Sequence, residues 1–148
     1  MLTTTSTAET PGTRTPVDTV AAIYAAFGRD DLPGLFELLH AEVDWGSTVT
    51  APGGELVPRV RNGLGHAAAE RYFGGVAQLE MHVFEVGRLL VDNEVVVAEI
   101  RFAATHRVTA KHAALDELHH WTVRNGLVVR YRPYLDTAAL IEIFRPAT

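Results

Sequence analysis

The sequence predicts a single α+β domain in which helices come first and a sheet follows. Three segments within the first 76 residues carry apolar residues at helical spacing, and four long segments after residue 79 read as β-strands. Helices followed by antiparallel strands give a sheet that packs on one side against the helices. The length of 148 residues suits one hydrophobic core and is short for two.

Helix starts and apolar periodicity place the helical segments. Thr15 followed by proline is a typical helix start, and apolar residues then recur at three- and four-residue spacing over 17–27. A second short helix over 32–39 and a third over 66–76 follow, and a last helix spans 138–144. The small polar residues of segment 1–14, with proline and glycine, predict a disordered tail, so the domain covers 15–148.

Turn and loop residues mark where the predicted strands begin and end. Six glycines and prolines between residues 51 and 65 predict a loop at a pocket rim. Asn125-Gly126 predicts a type I′ hairpin, and Asp92-Asn93 marks another turn. The predicted strands are 80–91, 94–106, 112–124 and 127–136, after a short extended segment at 43–45.

Composition narrows the possible classes of function. The absence of cysteine rules out disulfides and thiolate chemistry and favours a reducing, cytoplasmic location. A net charge of −5 argues against nucleic-acid binding, and no apolar run is long enough to cross a membrane. The seven histidines lack metal-site spacing, and no nucleotide-binding glycine motif has its proper context. We therefore expect no metal and no cofactor.

Several pieces of the sequence occur in an order that resembles a known family. These are Tyr24 to Leu32, Val43-Asp44-Trp45, Gly65 to Phe73, His119 to Gly126 and Arg132 to Thr137. Together they resemble the SnoaL-like branch of the nuclear transport factor 2-like superfamily. The resemblance implies a cone-shaped, curved antiparallel sheet packed on three N-terminal helices (a cystatin-like α+β barrel) that encloses a pocket. It also implies a homodimer formed through the outer face of the sheet.

Asp136, at the end of the last predicted strand, is the first candidate catalytic residue. Alternation places it on one strand face with Arg130, Arg132 and Tyr134. The resemblance implies that this face is concave, since family members carry a working carboxylate at the matching position. A carboxylate inside an apolar pocket loses hydration, and its pKa rises toward the range that suits proton transfer. The alternative is that Asp136 caps the last helix.

His119 is the second candidate catalytic residue. It shares a strand face with Trp121 and Val123, which leaves His120 on the other face. By resemblance, His119 falls where ketosteroid isomerases hold the acid that donates a hydrogen bond to the developing oxyanion, and an imidazole can donate similarly. A histidine satisfied within the core is the alternative.

The remaining candidates are expected to bind substrate. Glu99 and Arg101 share one face of a strand, where limonene-epoxide hydrolases place a charged pair, although the charges are reversed here; a solvent-side ion pair is the alternative. Core packing is the alternative for the aromatic candidates. The full set of expected substrate-binding residues is Tyr24, Trp45, Glu99, Arg101, Trp121, Arg132 and Tyr134.

We expect a cofactor-independent enzyme for a small, apolar molecule that carries a carbonyl or an epoxide. By resemblance, the reaction is a proton transfer of the polyketide-cyclase or isomerase type, with Asp136 moving the proton and His119 polarising a carbonyl. The isomerase base itself is missing, because Trp45-Gly46-Ser47-Thr48 replaces the expected Asp-Pro. The alternative is a non-catalytic module that binds a hydrophobic ligand or serves dimerisation.

Overall fold

The computed structural model describes residues 14–46, 52–57 and 63–147, which form a curved six-stranded sheet with helices packed against it. The helices are α1 (Pro16–Gly28), α2 (Leu32–Phe36), α3 (His66–Val76) and α4 (Thr137–Phe144), with a 3-10 turn at Gly54–Leu56. The strands are β1 (Leu39–Trp45), β2 (Gly63–Leu64), β3 (Leu79–Asp92), β4 (Val95–His106), β5 (His112–Arg124) and β6 (Leu127–Tyr134).

The sheet has the order β2-β1-β6-β5-β4-β3. Strands β3 to β6 form an antiparallel meander, and the predicted hairpin is confirmed because Asn125 and Gly126 both have positive φ angles, of 52° and 79°. The expected curved antiparallel sheet is confirmed, with one parallel pairing, between β1 and β6. This pairing joins the helical first half of the chain to its last strand.

The helices begin and end for local reasons. The Thr15 side chain accepts a hydrogen bond from the backbone N–H of Asp18 at 3.2 Å, and Pro16 follows at the first helical position. Helix α2 stops at Phe36, earlier than predicted, because the chain must turn so that Leu39 can start β1. Before α3, Gly65 has φ of 81°, and a Cβ there would lie 3.1 Å from the carbonyl oxygen of Ala41.

Two groups of buried side chains cover the inner face of the sheet. One lies under α1, α2 and α3 and includes Val20, Trp45 and Trp121. The other lies under α4 and includes Phe102 and Leu140. The helices therefore shield the sheet at both ends, and functional side chains on the inner face are removed from water.

A bulge in β6 decides which of its side chains face the core. The register with β5 shifts after Thr122, so that residues 123 and 128 are paired, whereas residues 122 and 130 are paired on the other side of the shift. One extra residue in β6 reverses the inward and outward alternation. Val128 is buried before the bulge, and Tyr131 and Pro133 are buried after it.

This reversal corrects the prediction for Arg132, Tyr134 and Asp136. They do not point into the core, as the resemblance implied, but away from it. The strand ends at Tyr134, and the exposed carboxylate of Asp136 accepts a hydrogen bond from the N–H of Ala139 at 3.1 Å, as the N-cap of α4.

Two predicted segments fall partly outside the described residues. The expected tail, 1–14, is described only at Arg14. Of the expected loop, 51–65, the structure describes 52–57 and 63–65, which contain the 3-10 turn and β2.

Substitution of Asp136 tests the cap. We expect Asp136→Ala to lower the free energy of unfolding by about 1 kcal/mol, because one N–H at the start of α4 loses its partner. Asp136→Asn should cost less than half of that, since an amide oxygen still accepts the bond. Urea denaturation at pH 7.5 measures both. Equal losses for the two variants would contradict the cap.

Acid should destabilise the protein through His106, which is 5% exposed. Its Nδ1 accepts hydrogen bonds from the N–H groups of Val108 and Thr109, both at 3.1 Å, and burial lowers the pKa of the imidazole. As the pH falls, the unfolded chain therefore takes up a proton on this imidazole first, at a pKa of about 6.5, and stability falls as the pH drops from there through the lower folded pKa.

Urea denaturation at pH 7.5 and pH 5.5 measures this effect. We expect the wild type to lose more stability between the two pH values than His106→Asn, which keeps an acceptor atom but has no titrating group. Equal losses for the two proteins would show that His106 does not carry the acid sensitivity.

Candidate active site

A cavity of about 40 Å³ lies between the helices and the inner face of the sheet. Its wall is mainly aromatic and aliphatic, which lowers the local polarity and strengthens electrostatic interactions inside it. The lining residues that carry polar atoms are Tyr24, Trp45, Tyr72, Glu117, His119, Trp121 and Tyr131.

Four of these side chains form one hydrogen-bonded chain. Trp121 Nε1 donates to Tyr24 Oη at 3.0 Å, and Tyr24 Oη lies 2.6 Å from His119 Nδ1. On the other side of the ring, His119 Nε2 lies 2.9 Å from Glu117 Oε1. A carboxylate can only accept, so Nε2–H donates to Glu117; in a neutral imidazole Nδ1 is then the acceptor, and the Tyr24 hydroxyl donates to it.

Strand β5 delivers three members of this chain. Glu117, His119 and Trp121 occupy alternate positions, and all three are buried, at 3%, 4% and 3% exposure. The predicted position of His119 on the inner face beside Trp121 is confirmed. Glu117 was missed in the sequence, although the same alternation places it on the face of His119, because a glutamate in a strand usually faces water.

Helix α1 supplies the fourth member, Tyr24. Its ring stacks on His119 with centroids 5.9 Å apart and meets Trp121 edge-on at 5.8 Å. Burial raises the pKa of the Tyr24 hydroxyl well above its ordinary value, although the hydrogen bond from Trp121 acts in the opposite direction. Tyr24 is therefore held as a neutral phenol.

Two further polar features lie beside the chain. The hydroxyls of Tyr72 and Tyr131 are 2.7 Å apart. Trp45 is 1% exposed, and its indole N–H is a buried donor with no hydrogen-bond partner among the described residues. Its ring packs on Tyr131 at 4.4 Å, next to the cavity. Trp45 also lines the cavity, so the wall includes a residue with a buried donor.

The expected meeting of His119 with Asp136 in one pocket is not found. Asp136 lies beyond the end of β6, exposed, and caps α4. Tyr134 is 44% exposed on the outer face. Arg132 binds Asp44 at 2.8 Å on that face, so it holds β1 to β6 and does not line the cavity.

The expected substrate-binding roles of Glu99 and Arg101 are also corrected. The inner positions of β4 are the even-numbered ones, such as Ala98 and Ile100, so both charges face outward. Glu99 pairs with Arg88 at 2.8 Å, and Arg101 lies 3.7 Å from Glu85. These are the solvent-side ion pairs that the sequence left as the alternative. Tyr24, Trp45 and Trp121, by contrast, do line the cavity.

Metal-binding clusters and membrane-spanning helices are both absent from residues 14–46, 52–57 and 63–147. These residues contain no group of three or more His, Asp or Glu side chains arranged to hold a metal ion. None of the helices in the same residues is long and apolar enough to cross a membrane.

Solved structures share this fold. The chain is similar to an NTF2-like protein of unknown function from Burkholderia pseudomallei (26% identity, TM-score 0.75, 87% of this chain and 96% of that one). It is similar to TerC, co-crystallised with polyporic acid (24%, 0.73, 87% and 97%). It is also similar to a candidate SnoaL-like polyketide cyclase from Mesorhizobium loti (18%, 0.65, 82% and 99%).

Sequence families agree with the fold. No curated protein sequence matches this chain significantly. The SnoaL-like domain family matches residues 20–131, which is most of the chain and includes every member of the hydrogen-bonded chain from Tyr24 to Trp121. The protein therefore belongs to the SnoaL-like domain family of the nuclear transport factor 2-like superfamily.

Proposed function

We propose that this protein is a cofactor-independent enzyme that moves a proton on a small, apolar carbonyl compound, as in polyketide-type cyclisation or isomerisation. The observation that carries the proposal is the hydrogen-bonded chain Glu117–His119–Tyr24 at the wall of an apolar cavity. It takes the place of the pair of His119 with Asp136 expected from the sequence.

His119 is the proton acceptor in this proposal. A ligand C–H next to a carbonyl gives its proton to Tyr24 Oη while the phenol proton passes to His119 Nδ1. The bond from carbon to hydrogen breaks, its electron pair forms the enolate, and an imidazolium results. Because burial keeps the Tyr24 hydroxyl neutral, Tyr24 cannot hold the extra proton and must pass its own proton to His119 as it accepts the new one.

Glu117 makes His119 suitable for this role. The carboxylate fixes the ring so that Nδ1 is the acceptor, and it stabilises the positive charge that forms on the imidazole. When the proton returns along the same path to another atom of the enolate, an isomer results. When the enolate first attacks a second carbonyl of the same molecule, a ring closes and the new alkoxide takes the proton.

Trp45 supports the choice of a carbonyl compound. Its buried N–H, which has no partner among the described residues, suits the oxygen of a ligand carbonyl, on which negative charge grows as the enolate forms. Small-molecule binding is also supported by the similarity to TerC, which was co-crystallised with polyporic acid.

A binding module without catalysis is the second candidate. The free space of about 40 Å³ is enough for only a few water molecules, and most of its wall is apolar. A ligand must displace side chains to enter. Hydrogen–deuterium exchange on a ketone, described next, separates the two candidates, because a binding module would protect a bound ketone and would not speed the exchange of its protons.

Hydrogen–deuterium exchange on 2-tetralone tests the proton transfer. In D2O the wild type should speed the loss of the proton signals next to the carbonyl, as followed by NMR. His119→Asn should slow the catalysed rate by about 100-fold or more, because the final proton acceptor is gone. Tyr24→Phe and Glu117→Gln should each lose about tenfold or more, since one removes the relay atom and the other the charge on the carboxylate.

Glu99→Gln is the matched control for Glu117→Gln. It makes the same chemical change on the outer face of the neighbouring strand, so the exchange rate should stay at the wild-type value. Thermal unfolding checks that each variant is folded. Exchange that survives in a folded His119→Asn protein, or a wild type that gives no acceleration, would refute the enzyme proposal.

We propose that the expected homodimer forms through the outer face of the sheet. Leu118 on β5 and Tyr134 on β6 are direct cross-strand neighbours, and both are large and exposed, at 47% and 44%. A second copy placed there would cover them. Light scattering at micromolar concentration should give the mass of a dimer, and Leu118→Glu should shift it toward the monomer. A monomeric wild type would exclude this interface.

A further inference from the structure

Two neighbouring spaces share one wall. The first is the candidate active-site cavity, here called the inner chamber. The second is an outer cleft of about 730 Å³ beside the ends of α1 and α3 and the start of β3. Residues that line both spaces are apolar: Phe27, Phe73, Val76, Met81 and Phe84. Any ligand that reaches the chamber from the cleft must pass between these side chains.

Phe84 links this wall to the hydrogen-bonded chain. Its ring lies 5.0 Å from that of Phe27 and 6.1 Å from that of Tyr24. It therefore touches both another wall residue and the member of the hydrogen-bonded chain that would contact ligand. A change in its position would open the chamber on the side of the reacting hydroxyl.

The backbone around Phe84 lies in an irregular part of an edge strand. Strand β3 is an edge strand, paired only with β4 within the described sheet. Its register with β4 shifts between Met81 and Val83 and again between Val86 and Leu89, so irregularities bracket Phe84 on both sides. Bulges re-aim side chains and leave a residue of the strand unpaired, so fewer ladder hydrogen bonds oppose a shift of this segment.

We infer that Phe84 is the gate that admits ligands from the outer cleft to the inner chamber and that selects an uncharged aromatic or fused ring. The inference rests on the proposed function because it takes the inner chamber as the site of proton transfer, and it adds which class of ligand reaches that site. An apolar ring replaces the contacts of Phe84 with Phe27 and Tyr24 as it passes. A charged group would lose its hydration against five apolar side chains.

The residues of the outer cleft indicate where a polar substituent of the ligand would lie. Asp30, Glu80 and Arg107 line it, and none of them lines the inner chamber. All three are exposed, so a polar substituent of the ligand would remain hydrated there while the ring occupies the chamber. The selected class is therefore an uncharged ring with its polar groups at one end.

Tryptophan fluorescence reports directly on passage through this gate. The protein has two tryptophans, Trp45 and Trp121, and both line the inner chamber. Nitrobenzene, an uncharged single-ring quencher, serves as the probe, with iodide as a charged comparison. Lifetimes are measured, so that absorption of light by the quencher does not affect the result.

We expect Phe84→Ala to raise the nitrobenzene quenching constant at least fivefold and to leave iodide quenching near the wild-type value. Leu90→Ala is the matched control, because Leu90 is an exposed apolar residue of the same strand that lines neither space. It should leave both constants unchanged. If Phe84→Ala fails to fold, Phe84→Leu should give a smaller increase of the same kind.

Unchanged nitrobenzene quenching in a folded Phe84 variant would overturn the gate. So would an equal rise for nitrobenzene and iodide, which would indicate general loosening. The outcome is independent of catalysis. If the gate result is positive while His119→Asn leaves 2-tetralone exchange unchanged, ligand access is as inferred and the proton relay is wrong.

Discussion

A carboxylate buried in a small domain needs a partner, because transfer from water costs several kcal/mol for an unpaired ion. Glu117 is 3% exposed and finds that partner in His119, whose ring stands 2.9 Å away on the same strand. The other ring nitrogen then requires a donor, which Tyr24 provides from α1. One buried charge thus sets the orientation of the imidazole and, through Tyr24, ties the first helix to the sheet.

The surroundings divide into a closely packed part and an irregular part. Beneath His119, the rings of Trp45, Tyr131 and Trp121 follow one another with centroids 4.4 and 4.3 Å apart. Such packing fixes the reacting groups at one geometry, which is what proton transfer requires. Phe84 belongs to an irregular edge strand on the opposite side. The residues that would transfer the proton therefore lie on β5 and α1, whereas the residue that would admit the ligand lies on β3.

The sequence predicts most of the fold and half of the site. Alternation in β5 places His119 and Trp121 correctly, because residues 112–122 of that strand keep one unbroken register with β4. The same reasoning fails for Arg132 and Tyr134, because the bulge in β6 reverses the faces, and alternation gives no sign of one inserted residue. Glu117 was missed because a glutamate in a strand is expected to face solvent. Its stabilisation depends on His119 and, through that ring, on a tyrosine 95 residues distant from the histidine.

The parallel pairing of β1 with β6 has a consequence for synthesis on the ribosome. Trp45 comes from the first third of the chain, and its register partner Tyr131 comes from the last strand. Contacts so distant in sequence form late, since the intervening chain must be made and brought back. The wall of the chamber is therefore completed only when the C-terminal strand has emerged. Until then, the apolar surface that will line it stays exposed to chaperones and to neighbouring nascent chains.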